Sequence, residues 1–314
     1  MRDRSFIGVA ALLGAIAILT ALAAGLGVFA RGDGTYETVT SVRGVTYPMA
    51  TTGVYAYNAQ RLVAEGIGWD VVTLVLAVPA LLATLPFVAR GSFRGRLVAA
   101  GLLGYLLYQY LEYAVTWAFG PLFPLFIVTY AASLAGIVWL GVGIARDGVA
   151  GRFGDRFPRR AYTLLTGALA VLLTLLWAQR IATGLGGDLE AASLWGETTM
   201  VVQALDLGLV VPTALFIAVL AWRRSAIGYV LAAIWIVFSI AMASAIAGML
   251  VAAGLVEGTF EVPPMVIFGA YLFASLVLAW AIYRRAGSPE PEAAATGDRP
   301  RAEPRRATGV GRPA

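Results

Sequence analysis

The sequence predicts an all-α integral membrane protein with about eight transmembrane helices, both termini in the cytoplasm and a small extracytoplasmic loop cap. Composition is the first observation behind this prediction. Of the 314 residues, 60% are hydrophobic and 13% are charged, whereas a soluble domain carries about 25% charged residues. A series of long apolar stretches and an uneven distribution of arginine are the other two observations.

Eight apolar stretches are long enough to cross the hydrocarbon layer as helices, which takes about 20 residues each. The first follows MRDRS and ends at VFA, so a cleaved signal peptide is an alternative interpretation of it. Its apolar run is longer than the about 7–15 residues of a signal-peptide core, which favours a transmembrane helix. The eight stretches are residues 6–30, 69–89, 97–119, 122–145, 162–183, 199–222, 226–254 and 264–284.

The connections between these stretches alternate in arginine content. If the N-terminus is cytoplasmic, the outer connections hold only Arg31, Arg43 and Arg61, together with most of the loop acids. The inner segments then hold Arg2, Arg4, Arg90, Arg94, Arg96, Arg146, Arg152, Arg156, Arg159, Arg160, Arg223, Arg224, Arg284 and Arg285. The positive-inside rule therefore predicts that both termini are cytoplasmic. We expect the protein in the cytoplasmic membrane.

The chain divides into a transmembrane domain, residues 1–285, and a cytoplasmic tail, residues 286–314. The tail is rich in Pro, Ala and Arg without apolar periodicity, which is typical of a disordered segment. The longest outer connection, residues 31–68, is expected to cap the outer face. Thr, Val and Tyr recur in it between Gly and Pro, which favours two or three short strands. An irregular loop is the alternative.

Missing residue types exclude several kinds of chemistry. The sequence contains no Cys, His or Lys, which excludes disulfides, thiol catalysis, the usual zinc and haem ligands and Schiff bases. It contains no nucleotide-binding loop or nucleophile elbow, and we expect no cofactor. The net charge of +5 follows from the inner arginines, so membrane lipids are the expected partners and nucleic acid is not.

A polar stripe crosses the third apolar stretch. Within YLLYQYLEYAV, Tyr105, Tyr108, Gln109, Glu112 and Tyr113 recur at i, i+3, i+4, i+7 and i+8, so they share one helix face. A charge at the centre of a membrane helix costs roughly 3 kcal/mol, so such side chains normally face other protein groups. We expect the stripe to form one wall of a polar chamber, with Tyr105 as a packing residue.

The other polar side chains of the apolar stretches fall in the predicted outer half, near the ends of three helices. They are Asp70, Gln179, Arg180, Gln203 and Asp206. The simplest arrangement holds Arg180 between Glu112 and Asp206, and a structural ion pair that joins three helices is the alternative to a functional site. The predicted ligand-binding residues are Glu112, Asp206, Arg180, Gln109, Gln203, Tyr108, Tyr113 and, at the entrance, Asp70. No metal site is predicted.

A faint internal repeat runs through the apolar stretches. WDVVTLVLAVP in the second stretch and LDLGLVVP in the sixth each carry an Asp near the outer end and a Pro deeper in. PLFIVTY in the fourth and PMVIFGAY in the eighth also match. This pattern predicts a four-plus-four duplication with parallel halves, as some transporters show. Pro79 and Pro212 are expected to kink their helices or to free a backbone carbonyl.

Two longer stretches carry a set of motifs in a fixed order. They are SVRGVTYPMATTGVYAYN followed by GWDVVTLVLAVP, and RGSFRGRLVAAGLLGYLLYQYLEYAV followed by PLFPLFIVTY. They resemble a group of multi-pass prokaryotic membrane proteins that carry RG, GxY, DxVTL, RGxxRG, tyrosine-rich and PLF elements in this order. The resemblance covers roughly residues 40–135. It implies the multi-pass architecture and no particular activity.

The favoured hypothesis is a chamber that binds or transports a small solute or cation entering from the extracytoplasmic side. Glu112 and Asp206 would bind the charge or carry protons, with Arg180 as the counter-ion and Gln109 and Gln203 as orienting groups. An intramembrane enzyme for a lipid-linked substrate is one alternative, with Glu112 or Asp206 as the general base and Arg180 holding a phosphate. A non-catalytic accessory subunit with a structural polar core is the other.

Overall fold

The computed structural model describes residues 2–153 and 157–286. In these residues eight long helices form a bundle, so the predicted helical class is confirmed. The helices are α1 (Arg2–Phe29), α2 (Gln60–Ala89), α3 (Phe93–Thr116), α4 (Phe123–Arg146), α5 (Arg159–Leu185), α6 (Val201–Trp222), α7 (Ala226–Glu257) and α8 (Val262–Tyr283). The predicted disordered tail lies outside the described residues, except for Ala286.

Seven of the helices in the described residues are long and apolar enough to cross a membrane, and α3 is the exception. It carries Arg94, Arg96 and the polar stripe. It lies in the centre of the bundle against α2, α4 and α7, so most of its side chains contact protein and are shielded from lipid. A central helix does not need an apolar surface. This explains why α3, one of the eight predicted spans, is less apolar than the other seven. The chain is a multi-pass membrane protein.

The helices alternate in direction, so their connections collect at two ends of the bundle. Residues 30–59, 186–200 and 258–261 lie at one end, which we call the hairpin end. Residues 90–92, 147–153 and 223–225 lie at the opposite end, which we call the arginine end. The described chain both begins and finishes at the arginine end.

The longest connection forms a two-stranded antiparallel hairpin, β1 (Tyr36–Thr40) and β2 (Thr46–Ala50). The predicted cap was too long, because α2 begins at Gln60 and residues 60–68 are helical. Arg61 and Glu65 gave this segment a polar, loop-like composition. In the structure they form an i, i+4 ion pair of 2.9 Å on the first turns of α2, a pairing that supports a helix.

The helices α2 and α6 share an irregularity. Each contains a π-helical turn, Thr73–Ala77 in α2 and Asp206–Val210 in α6. Pro79 and Pro212 follow these turns at the same distance. Proline has no N–H to donate to the preceding turn, so the helix is loosened where each π turn forms. The two prolines therefore perturb their helices, as the sequence predicted.

The match between α2 and α6 continues into α3 and α7. Equivalent positions in the two segments are separated by the same number of residues throughout. α2 ends at Ala89 and α6 at Trp222. In both connections the second residue after the helix has a positive φ, +73° at Gly91 and +59° at Arg224. The next helix begins two residues later in each case. The segments α2–α3 and α6–α7 thus have the same local structure, as the predicted duplication requires.

Candidate functional site

A cavity of about 480 Å³ lies between α2, α3, α5, α6, α7 and α8 in the hairpin-end half of the bundle. The 186–200 connection contributes part of its wall. Gln179, Thr199 and Glu261 line the cavity and are exposed at the hairpin end, so it opens toward that end. Its deeper wall is apolar, with Leu173 and Phe238 among the lining residues.

Asp206 is the first residue of the π turn in α6, and it lines the cavity. One of its carboxylate oxygens accepts a hydrogen bond from the Tyr108 hydroxyl at 2.5 Å, and the other accepts one from Trp177 Nε1 at 2.8 Å. The two donors come from α3 and α5. They fix the orientation of Asp206 and tie three helices together at the cavity wall.

Arg180 lies one turn beyond Trp177 on α5 and also lines the cavity. Its guanidinium lies 5.7 Å from the Trp177 ring centroid and donates a hydrogen bond to Ser193 Oγ. Within the described residues it makes no ion pair, so the predicted bridge from Arg180 to Glu112 and Asp206 is wrong. Trp177 takes the position that faces Asp206, and Arg180 turns toward the 186–200 connection.

Arg61 forms a cluster of ion pairs at the mouth of the cavity. Its guanidinium contacts Glu65 at 2.9 Å, Glu257 at 3.2 Å and Glu261 at 2.7 Å. Glu257 ends α7 and Glu261 precedes α8, so Arg61 links the start of α2 to both helices. Such partly exposed pairs contribute at most about 1 kcal/mol each to stability. Their larger effect is on the charge at the mouth of the cavity, which is negative because three carboxylates surround one guanidinium.

Glu197 adds a carboxylate from the 186–200 connection. It lines the cavity, and burial raises the pKa of its carboxyl above the usual range. Its Oε2 has no hydrogen-bond partner in the described part of the chain. The charged side chains that line the cavity are Arg61, Arg180, Glu65, Glu197, Asp206 and Glu261. Carboxylates outnumber guanidinium groups, so the lining favours a positively charged ligand.

A second polar group lies behind the cavity wall, around Asp70. This carboxylate is fully buried and accepts hydrogen bonds from the Tyr55 hydroxyl, from the Tyr113 hydroxyl at 3.3 Å and from Gln109 Nε2 at 3.4 Å. The backbone of α1 packs against it at Gly27, where a side chain would overlap Asp70 and Tyr55. The predicted position of Asp70 at the entrance is therefore wrong, because the cap and α1 cover it.

The structure divides the predicted site residues into two sets. Asp206, Arg180, Gln203 and Tyr108 line the cavity. Glu112, Gln109, Tyr113 and Asp70 are buried behind its wall. Trp69 separates the two sets: it lines the cavity, and its ring packs against Tyr108 and Tyr113 with centroid distances of 6.3 and 5.5 Å. The sequence predicted a single chamber. The structure instead has a cavity and, behind its wall, a separate group of buried polar side chains.

The sequence interpretation missed most of the cavity residues, and five of them are polar or aromatic groups close to Arg180 and Asp206 or at the cavity mouth. These five are Arg61, Glu65, Trp177, Ser193 and Glu197. Two signals were present, since Arg61 and Glu65 have i, i+4 spacing and Trp177 and Arg180 have i, i+3 spacing, which places each pair on one helix face. Ser193 and Glu197 lie in a connection without periodicity, so no local signal identifies them.

Comparisons with known proteins add no family to this picture. No family model, curated protein or solved structure matches the chain. The resemblance to a group of multi-pass prokaryotic membrane proteins therefore stays a prediction. Among the described residues no group of three or more acidic side chains is arranged to hold a metal ion. The charges and rings of the cavity are the basis for a functional proposal.

Proposed function

We propose that this protein binds a small organic cation in the hairpin-end cavity and transports it across the membrane. The observation that carries the proposal is the lining, in which acidic side chains stand beside aromatic rings. Glu65, Glu197 and Asp206 supply negative charge, and Trp69 and Trp177 supply π faces. A cation over an aromatic face gains from the ring quadrupole, most strongly with Trp and when desolvated.

The size and chemistry of the cavity support an organic cation over an inorganic one. A volume of about 480 Å³ falls within the range of about 300–1,000 Å³ for small-molecule sites. Leu173, Phe238 and Met242 in its wall suit a hydrocarbon portion. Mg²⁺ or Ca²⁺ needs about six or more converging oxygens, whereas both oxygens of Asp206 already accept hydrogen bonds from Tyr108 and Trp177.

Transport is supported by the irregular helices beside the cavity. Asp206 lies on the π turn of α6, and α2 has the matching turn at Thr73–Ala77. Interrupted helices in two repeated halves, with polar groups between them, are the arrangement found in many transporters. The weakened segments at Pro79 and Pro212 give each half a place to bend. In this proposal the two halves move relative to each other around the cavity.

The proposal includes an orientation in the cytoplasmic membrane. The arginine end faces the cytoplasm because it collects nearly all the loop arginines, and the cavity then opens on the opposite side. The chain contains no Cys, so single introduced thiols report orientation without background. Thr38→Cys in β1 and Ala150→Cys at the arginine end are both exposed positions. They form a matched pair for labelling intact cells with a membrane-impermeant maleimide.

In intact cells the thiol of Thr38→Cys is expected to react with the maleimide. Ala150→Cys is expected to react only after the membrane is permeabilised. The reverse pattern would contradict the orientation, and labelling of both variants in intact cells would contradict it as well.

Binding is tested with the intrinsic fluorescence of the purified protein, because Trp69, Trp177 and Trp195 line the cavity. A panel of organic cations from tetramethylammonium to tetraphenylphosphonium is titrated, with benzoate and glucose as the anionic and neutral controls. At least one cation is expected to change the fluorescence saturably, and the controls are not. The proposal fails if no cation has this effect or if benzoate binds as tightly.

A further inference from the structure

Glu112 is a buried carboxylate that the proposed binding site does not use. It lies on α3 one helical turn from Tyr108 and one turn from Thr116, so the three share a face. Tyr108 and Thr116 line the cavity. Glu112 is therefore directly behind the cavity wall, where its side chain is 3% exposed.

Glu112 has no counter-charge within the described residues. Its Oε2 is buried without a hydrogen-bond partner, and it takes part in no ion pair there. Arg61 is held by its own three carboxylates, and Arg180 is held by Ser193 and Trp177. An isolated ionised carboxylate is very unfavourable in an apolar environment, so a proton or a bound cation must neutralise it.

The titratable groups around Glu112 make an ionised Glu112 still less favourable, since none of them is positive. Its titratable neighbours are Glu65 on α2, Glu197 in the 186–200 connection, Asp206 on α6, Tyr108 and Tyr113 on α3, and Tyr55 in the cap. The carboxylates repel a second negative charge, and the phenols are neutral at ordinary pH. Glu112 therefore needs a proton or a cation to neutralise it.

Other unpartnered polar atoms lie in the same part of the cavity wall. Trp69 Nε1, Thr116 Oγ1 and Glu197 Oε2 are each buried without a hydrogen-bond partner in the described chain, and all three residues line the cavity. Buried polar atoms are nearly always hydrogen-bonded. Unpartnered polar atoms are therefore concentrated in the part of the cavity wall that lies beside Glu112.

We propose that Glu112 is neutralised in alternation by a proton and by the cationic group of a solute bound in the cavity beside it, which makes the protein a proton–cation exchanger. The inference rests on the proposed cation-binding function. When the cation binds in the cavity, the O–H bond of Glu112 breaks and its proton passes the wall residues Tyr108 and Thr116 to water in the cavity. The cation beside the wall then balances the negative charge left on Glu112. When the cation leaves, a proton from water returns to Glu112. One proton is exchanged for each positive charge at this residue.

Infrared spectroscopy tests the proton on Glu112 without any ligand. The wild-type protein at neutral pH is expected to show the C=O band of a protonated carboxyl that Glu112→Gln lacks. Glu190→Gln is the matched control, because Glu190 is exposed in the 186–200 connection and its removal should leave the band unchanged. A band of equal size in Glu112→Gln and the wild type would show that Glu112 is ionised and overturn the inference.

Exchange is tested with tetraphenylphosphonium as the probe. Its binding to the wild type is expected to remove the protonated-carboxyl band and to weaken about tenfold for each unit of pH decrease in the range where Glu112 takes up its proton. Glu112→Gln should lose the part of this pH dependence that Glu112 contributes, and Glu112→Asp should restore it. Binding to the wild type that is independent of pH would overturn the exchange while leaving cation binding intact. If no cation of the panel binds, the proposed function itself fails.

Discussion

Replacing Gly68 with valine is expected to destabilise the protein by roughly 1–3 kcal/mol or more, the usual cost of overpacking a close contact. Gly68 lies where α2 crosses α7. A Cβ at this position would lie 2.7 Å from the Gly248 carbonyl carbon and 2.8 Å from the Ala252 Cβ. The carbonyl belongs to the backbone of α7, so no side-chain rotation relieves the overlap and the two helices must separate.

Gly25→Val is the matched control for this substitution. Gly25 also lies in an apolar helix, α1, but nothing is within 4 Å of a Cβ added there. Thermal unfolding in detergent, together with the yield of monodisperse protein, measures both variants. Gly68→Val is expected to unfold at a lower temperature and in lower yield than Gly25→Val. Equal stability of the two variants would contradict the close packing of α2 on α7.

Asp206→Asn is expected to weaken tetraphenylphosphonium binding by tenfold or more. The substitution keeps the size of the side chain but removes one negative charge from the cavity. A hydrogen bond to a charged group contributes about 1.5–3 kcal/mol. A loss of about 1.4 kcal/mol of binding free energy lowers the affinity tenfold. It also weakens the acceptor for the Tyr108 hydroxyl, whose bond of 2.5 Å positions Asp206.

Asp188→Asn provides the control for the loss of charge. Asp188 is exposed in the 186–200 connection, and its Oδ1 accepts a hydrogen bond from the Ala191 N–H, which asparagine can also accept. Fluorescence titration compares both variants with the wild type. Asp188→Asn is expected to bind tetraphenylphosphonium normally. If Asp206→Asn binds as tightly as Asp188→Asn, the carboxylate in the cavity has no part in cation binding.

The sequence was most informative where a feature is set by local physics. Apolar length predicted the helices, and the prolines at residues 79 and 212 predicted the perturbed segments, because each effect depends on a few adjacent residues. The π turns of α2 and α6 agree with the faint repeat in these two helices, and the duplication of the whole chain stays a prediction. α3 failed only the apolarity requirement, since its central position shields Glu112 and its neighbours from lipid.

The composition of the site was harder to predict, because helical spacing gives a shared face but not the partner of that face. Arg180 was expected beside Glu112 and Asp206, yet the rotation of α5 places Trp177 there and turns Arg180 toward Ser193. Asp70 was expected at an entrance, yet the cap brings Tyr55 onto it. Both errors concern contacts between segments far apart in the chain, for which one sequence holds no local signal.

The central claim is that the cavity behind the 186–200 connection is where a cation binds, and the most direct test locates a bound cation. Tetraphenylarsonium has the shape of tetraphenylphosphonium and carries an arsenic atom that scatters X-rays anomalously. In crystals soaked with it, an anomalous peak is expected between Trp69, Trp177 and Glu197. A peak found only outside the bundle, or none at a saturating concentration, would contradict the account.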